Sequence, residues 1–246
     1  VVTAGNPSAK FVKSGDISMS SVLTMPVTKN QGANQLRLQG NYFAASRYCH
    51  TDVRRGWTEN RLGTRIIALS EDFLRGFRTA VMDECGPAAD VVFKSVGRRW
   101  GELLAKRFEK EMTAFYGLPL REFIVAMFQA CLAELFSHHG WGKLKLDLSR
   151  HDRGLILVHL ENAIMGDLVS QSDRPVDTMF AGIFAGFFSH LAGQPLDCMQ
   201  TTCRACGDDK ARFIITLQAR LAAVAESSSQ RNHEAIWQQL LDSRVD

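Results

Sequence analysis

Apolar residues return at every third or fourth position in three successive stretches of this chain, each bounded by helix punctuation. The first runs from Ser70, an N-cap residue with Glu71 and Asp72 in the turn behind it, to Gly86. The second opens on Pro87 and closes at Gly117, with Val92, Val96, Trp100, Leu103 and Leu104 predicted as its core face. The third opens on Pro119 and closes at Gly140. Gly97 and Gly101 lie four apart in the second helix, so another backbone can approach there at some cost in helix propensity.

The period then changes. Lys143 to Ser149 alternates strictly, and Arg153 to Glu161 follows the turn-forming Arg150-His151-Asp152, which predicts a hairpin. A further helix spans Val176 to Gly193, and a second strand pair, Pro195 to Cys203 and Ala211 to Gln218, is joined through Gly207-Asp208. The tail from Ala219 reads as helix interrupted at Ser227 to Ser229. At the other end, Gln35 to Ser46 alternates around Gly40-Asn41 as a small hairpin, and Thr64 to Leu69 is a short β-like run. Residues 1 to 34, rich in Ser, Thr, Asn, Gly and Lys, read as an arm. The layout predicts an α+β fold, helices packed on one face of a small antiparallel sheet. Its parts are an arm and hairpin over 1–62, a main domain over 63–218 and a C-terminal helix over 219–246.

Composition narrows the function classes. With 246 residues, 46% of them apolar, the chain can build a core, and 29 basic against 26 acidic side chains is too even for bulk attraction to nucleic acid. Six cysteines are too sparse for a disulfide scaffold and fit a reducing compartment. The longest apolar run, Met179 to Phe188, is half of a membrane span, so the expectation is a soluble, cytoplasmic protein with no membrane insertion and no nucleic-acid partner. No Ser-His-Asp order, phosphate loop, His-Glu-x-x-His or paired carboxylates can be found, so no catalytic residue is assigned.

The stretch from Gly182 to Ile215 resembles the 4-vinyl reductase domain, whose fold is shared with the Bet-type subunits of TRAPP tethering complexes. The residues that carry the resemblance are Gly182, Ala185 and Gly186 of the Gly-rich helix, Gly193 to Pro195, Cys203 at a strand end, the Gly207-Asp208 turn and Arg212-Phe213. Upstream the likeness extends more loosely to about Leu62. It implies a small-molecule-binding module that dimerises and acts through a partner protein. The candidate ligand-binding residues are Phe180, Phe184, Phe187 and Phe188 beside Met179 on the helix, Ile156, Val158 and His159 on the strand facing it, and Trp100. These aromatics also suit plain core packing, in which case the chain is a scaffold or adaptor subunit that docks onto a larger bacterial assembly through its arm and C-terminal helix, with no ligand. A third implied role is an accessory subunit in tetrapyrrole vinyl reduction.

In the sensor branch of that family four positions hold zinc, and here they are Asp177, Gln200, Cys203 and Ala211. Two of them are not metal ligands, so no cofactor is expected. A shifted zinc centre drawn from Cys198, Cys203 and Cys206 with His190, Asp208 or Asp177 is the alternative, and a redox role for Cys203-x-x-Cys206 another. The bland reading makes the cysteines structural and Gly207 the positive-φ residue of the turn. His138-His139 end a helix, where the dipole favours them, and point about 100° apart, so they cannot chelate one ion.

Overall fold

The computed structural model of the protein describes residues 40–227 and 232–243. The predicted arm, the first strand of the Gln35 to Ser46 hairpin and the Ser228-Ser229 interruption lie outside these residues. Residues 40–48, the rest of that hairpin, form turns instead.

A first, small sheet follows, with β1 (Cys49–Asp52), β2 (Trp57–Asn60) and β3 (Arg65–Ile66) antiparallel in that order. Helices α1 (Glu71–Cys85), α2 (Ala89–Tyr116) and α3 (Val125–His138) come next, then strands β4 (Lys143–Asp147) and β5 (Ile156–Glu161). A one-turn α4 (Ile164–Asp167) leads to α5 (Thr178–Ala192), β6 (Leu196–Thr202), β7 (Ala211–Leu217), α6 (Gln218–Ser227) and α7 (His233–Asp242). The main sheet has the order β4-β5-β7-β6, antiparallel throughout. Gly207 carries φ of +94° in the β6–β7 turn, the conformation its sequence position required.

Strand alternation decides which sheet face each strand residue serves. Ile156, Val158 and Leu160 of β5 join Phe213 and Ile215 of β7 in the main core under α5. Leu155, Leu157 and Ile214 point to the opposite face, where Leu221, Val224, Ile236 and Leu240 of α6 and α7 cover them. The expected single helical layer is therefore two, and the C-terminal helices close the second face of the sheet.

Helices α2 and α5 meet backbone to backbone. A Cβ built on Gly97 or Gly101 of α2 would collide with the carbonyl oxygens of Met179 and Ile183, and one built on Gly182 or Gly186 of α5 with those of Lys94 and Arg98. Four glycines in two i, i+4 pairs thus interlock, and no larger residue fits. This contact corrects the predicted core face of α2 at three of its five positions, while Leu104 is buried and Trp100 partly buried as expected. Gly97, Gly101, Leu104, Ala105 and Phe108 are buried, whereas Val92, Val96 and Leu103 are exposed, the last by 65%. The closest approach of two helices needs the glycine side inward, and it carries the apolar stripe outward.

The small sheet is tied down by polar contacts. The buried Glu111 carboxylate accepts hydrogen bonds from Tyr42 Oη at 3.1 Å, Asn60 Nδ2 at 2.7 Å and Thr64 Oγ1 at 2.6 Å, which fixes the β2–β3 end to α2. Among the described residues no helix is long and apolar enough to cross a membrane.

Candidate functional site

The face of α5 turned towards the sheet carries Phe180, Phe184, Phe187 and Phe188, all buried, at the spacing its turns dictate. Phe184 stacks on Phe136 of α3 at 5.4 Å and meets Phe213 of β7 edge-on at 5.1 Å. From Phe136 the rings continue to Trp141 at 5.2 Å and from there to Trp100 of α2 at 5.0 Å. Both tryptophans are only partly buried. A connected run of aromatic rings therefore leads from the surface at Trp100 and Trp141 to the centre of the layer between α5 and the sheet.

His139 leans on Trp141 at 4.6 Å. Its Nδ1 lies 2.8 Å from the Leu135 carbonyl oxygen, an acceptor, so Nδ1 carries the proton and Nε2 is left as an acceptor. Burial holds its pKa below the usual histidine range, which keeps the imidazole neutral. Sequence reasoning gives His139 no ligand role, because its partner Trp141 lies beyond a turn at Gly140 rather than on the same helix.

Of the eight predicted ligand residues, seven meet in or beside this layer. Ile156 and Val158 pack under α5, while Phe187 and Phe188 lie at its far end, Phe187 against Phe108 at 5.7 Å. His159 does not join them. Strand alternation turns it to the other face, between Lys145 and Arg212 on the neighbouring strands, and its buried Nδ1 finds no partner among the described residues. Burial first, then Lys210 and Arg212, lowers its pKa.

Three of the four positions that the resemblance assigned to zinc do come together. Asp177, fully buried at the start of α5, donates its backbone N–H to Gln200 Oε1 at 2.8 Å and accepts from Gln200 Nε2 through Oδ2 at 2.6 Å. Cys203 Sγ lies 3.7 Å from the same oxygen, and Oδ1 has no partner among the described residues. Burial raises the Asp177 carboxyl to about 6 and the Cys203 thiol to about 11. The fourth position, Ala211, brings no donor atom, and the Gln200 amide already spans the gap, so these residues do not fit a closed zinc centre. Of the shifted centre, Cys203 has Asp177 beside it and donates its backbone N–H to Asp208 Oδ2 at 2.8 Å, but the other members lie apart. Cys198 is buried in the main core, Cys206 is exposed, and His190 faces Glu109 at 3.1 Å. Among the described residues no three His, Cys, Asp or Glu side chains are placed to hold a metal ion. A redox role needs a depressed thiol, and the raised value at Cys203 runs the other way.

A cavity of ≈ 360 Å³ opens beside β6, between α6 and the start of α5, and none of the eight predicted residues lines it.

A four-stranded antiparallel sheet with a Gly-rich helix laid across one face, interlocked with a long second helix, defines an α+β domain. Residues 158–217 match the family model of the 4-vinyl reductase domain, so the resemblance read from the Gly-rich helix and the strand pair holds over those elements. The chain is similar in structure to the phenol-responsive sensory domain of the transcription activator PoxR, determined with phenol. That match has a TM-score of 0.58 at 17% identity and covers 82% of this chain and 99% of that one. A vinyl-4-reductase family protein from Methanocaldococcus jannaschii overlaps at TM-score 0.43 and 16% identity, over 61% of this chain and 83% of the other. Subunit 3 of a trafficking protein particle complex from Naegleria fowleri overlaps at 0.47 and 13%, over 60% and 95%. No curated protein matches the chain by sequence.

Proposed function

We propose that this protein is a sensor-type binding module that takes a small apolar or aromatic ligand into the layer between α5 and the sheet and acts through a partner protein. The observation that carries this reading is the run of rings from Trp100 and Trp141 through Phe136 to Phe180 and Phe184, with a neutral histidine at its surface end. Aromatic walls supply stacking partners for a ring, and His139 Nε2 can accept one hydrogen bond from a hydroxyl, so a phenol-like molecule satisfies both. The fold shared with a phenol-responsive sensory domain supports the same class of ligand.

The test is a titration with phenol, followed by tryptophan fluorescence and by calorimetry. Two of the four tryptophans stand at the layer, so saturable quenching is expected, weakened about tenfold in His139→Ala by loss of the hydroxyl's acceptor. No saturable heat or quenching with phenol, toluene and indole at millimolar concentration would end the reading.

A scaffold or adaptor subunit of a larger assembly, without a ligand, is the second reading; a homodimer is expected under either reading, and one observation favours it. Helix α1 buries no residue, presents Phe73 and Phe77 stacked in parallel at 6.4 Å, and packs on α2 beside the exposed Val92 and Val96 through the contact of Phe77 with Phe93. A second copy of the chain is the occupant we assign to this face, because a homodimer covers the same apolar patch on both subunits. Sedimentation of the wild type and of Phe77→Glu tests it, with a dimer converted to a monomer as the expected result. An unchanged sedimentation coefficient would refute it.

A further inference from the structure

The groove beside β6 differs in chemistry from the aromatic layer. One part of its wall is aliphatic, built by Met199 of β6, Leu221 and Ala222 of α6 and Ile236 of α7; Thr178, Asp197, Gln200 and Gln218 make a polar part, and no aromatic side chain among the described residues lines it. Lys94 of α2 stands at its rim. The ammonium has three N–H donors, one of which goes to Asp197 Oδ2 at 2.9 Å, and its side chain is 37% exposed. The other oxygen of Asp197 accepts from Arg98 at 2.7 Å, so two cations share one carboxylate. Asp90, beside Thr178 of the groove, is already paired with Arg174 at 3.0 Å. Asp197 lines the groove beside Lys94, and with Arg98 behind them the cluster carries two cations against one carboxylate, in front of the aliphatic part of the wall.

We propose that this groove is a binding site for a small aliphatic carboxylate, with its headgroup on Lys94 Nζ and its chain along Met199, Leu221, Ala222 and Ile236. The volume lies within the range of small-molecule sites. An uncharged apolar molecule would leave the surplus charge at Lys94 unmatched, and a polar anion would gain nothing from the wall. An aliphatic acid answers both. Met199 faces α6 and α7, whereas Phe184 faces the other side of the sheet; the groove meets the main core at Ala181 and Cys198, neither of which is among the residues proposed for the aromatic layer.

Octanoate and 1-octanol, titrated calorimetrically into the full chain, provide the test. Octanoate is expected to bind saturably, about tenfold or more tightly than octanol, because the charge-assisted contact to Lys94 exists only for the acid. Lys94→Met should erase that preference. Ala222→Phe, on the exposed side of α6, should fill the groove and abolish octanoate binding without lowering the melting midpoint. Equal affinity for the alcohol in the wild type, or octanoate binding that survives Ala222→Phe, would overturn the proposal. The phenol titration run on the same variants reads the aromatic layer alone, so either site can fail without the other.

Discussion

Replacing Asp177 by Asn isolates the cost of a carboxylate that the fold keeps dry. In the folded protein burial lifts this carboxyl from its ordinary 3.8 to about 6, so the native state holds its proton where the unfolded chain has already lost it. Folding therefore takes up a proton between those two values, and wild-type stability falls as pH rises from 4 to 6, then levels off. A shift of about two pH units corresponds to about 3 kcal/mol of lost stability at neutral pH. Asn keeps the oxygen that accepts from Gln200 Nε2 and does not ionise. Its amide nitrogen takes the place of Oδ1, which has no partner among the described residues, and an unmatched buried donor costs about 1–2 kcal/mol. The net expectation at pH 7 is a variant about 1 kcal/mol more stable than wild type, and at pH 4 one that is less stable. Urea denaturation of both proteins from pH 4 to 8 gives the difference curve, in which the titrations common to both cancel. A flat difference across pH 4 to 6, or one in which the wild type gains on the variant as pH rises, would refute the reasoning.

Gly186→Ala drives a methyl group into the Arg98 carbonyl and should cost at least about 3 kcal/mol, read as a collapsed melting midpoint or insoluble expression; a loss under 1 kcal/mol would contradict the interlocked geometry. Glu111→Gln exchanges an acceptor of three hydrogen bonds for a group half of which donates, so a loss of about 2–3 kcal/mol is expected, with amide exchange accelerating first in β2 and β3. Exhaustive treatment with a chelator should leave the melting midpoint where it was, since Gln200 rather than a metal joins α5 to the end of β6; a fall of several degrees would restore the zinc reading.

The parts of the fold legible in the sequence are those with one wet and one dry side. Helix α5 and the pairs β4–β5 and β6–β7 come out within three residues of their predicted limits, because period and turn chemistry agree there. The β1–β2 hairpin is not legible: Cys49 to Asn60 has little apolar alternation, and its order derives from Asn60 reaching Glu111, 51 residues away. His159 falls on the other side of β5 from its expected one for a different reason. Leu155 to Val158 is apolar at every position since both faces are covered, and a continuous run carries no record of which residue looks which way. The stripe of α2 misleads in the opposite sense, for Val92, Val96 and Leu103 are as apolar as a core face yet lie outside. The glycines between them are the better guide to the inward side.

The four-glycine contact also limits how this domain can move. Helices separated by layers of side chains can slide by exchanging rotamers, but α2 and α5 touch through carbonyl oxygens and Cα atoms, which have no rotamers to exchange. The pair behaves as a single strut 28 residues long on its α2 side. A molecule wedged under Phe180 and Phe184 cannot tilt α5 without tilting α2 by the same angle. The displacement emerges undiminished at Val92, Val96 and Leu103, on the opposite side of the strut, where the next subunit or partner would feel it first.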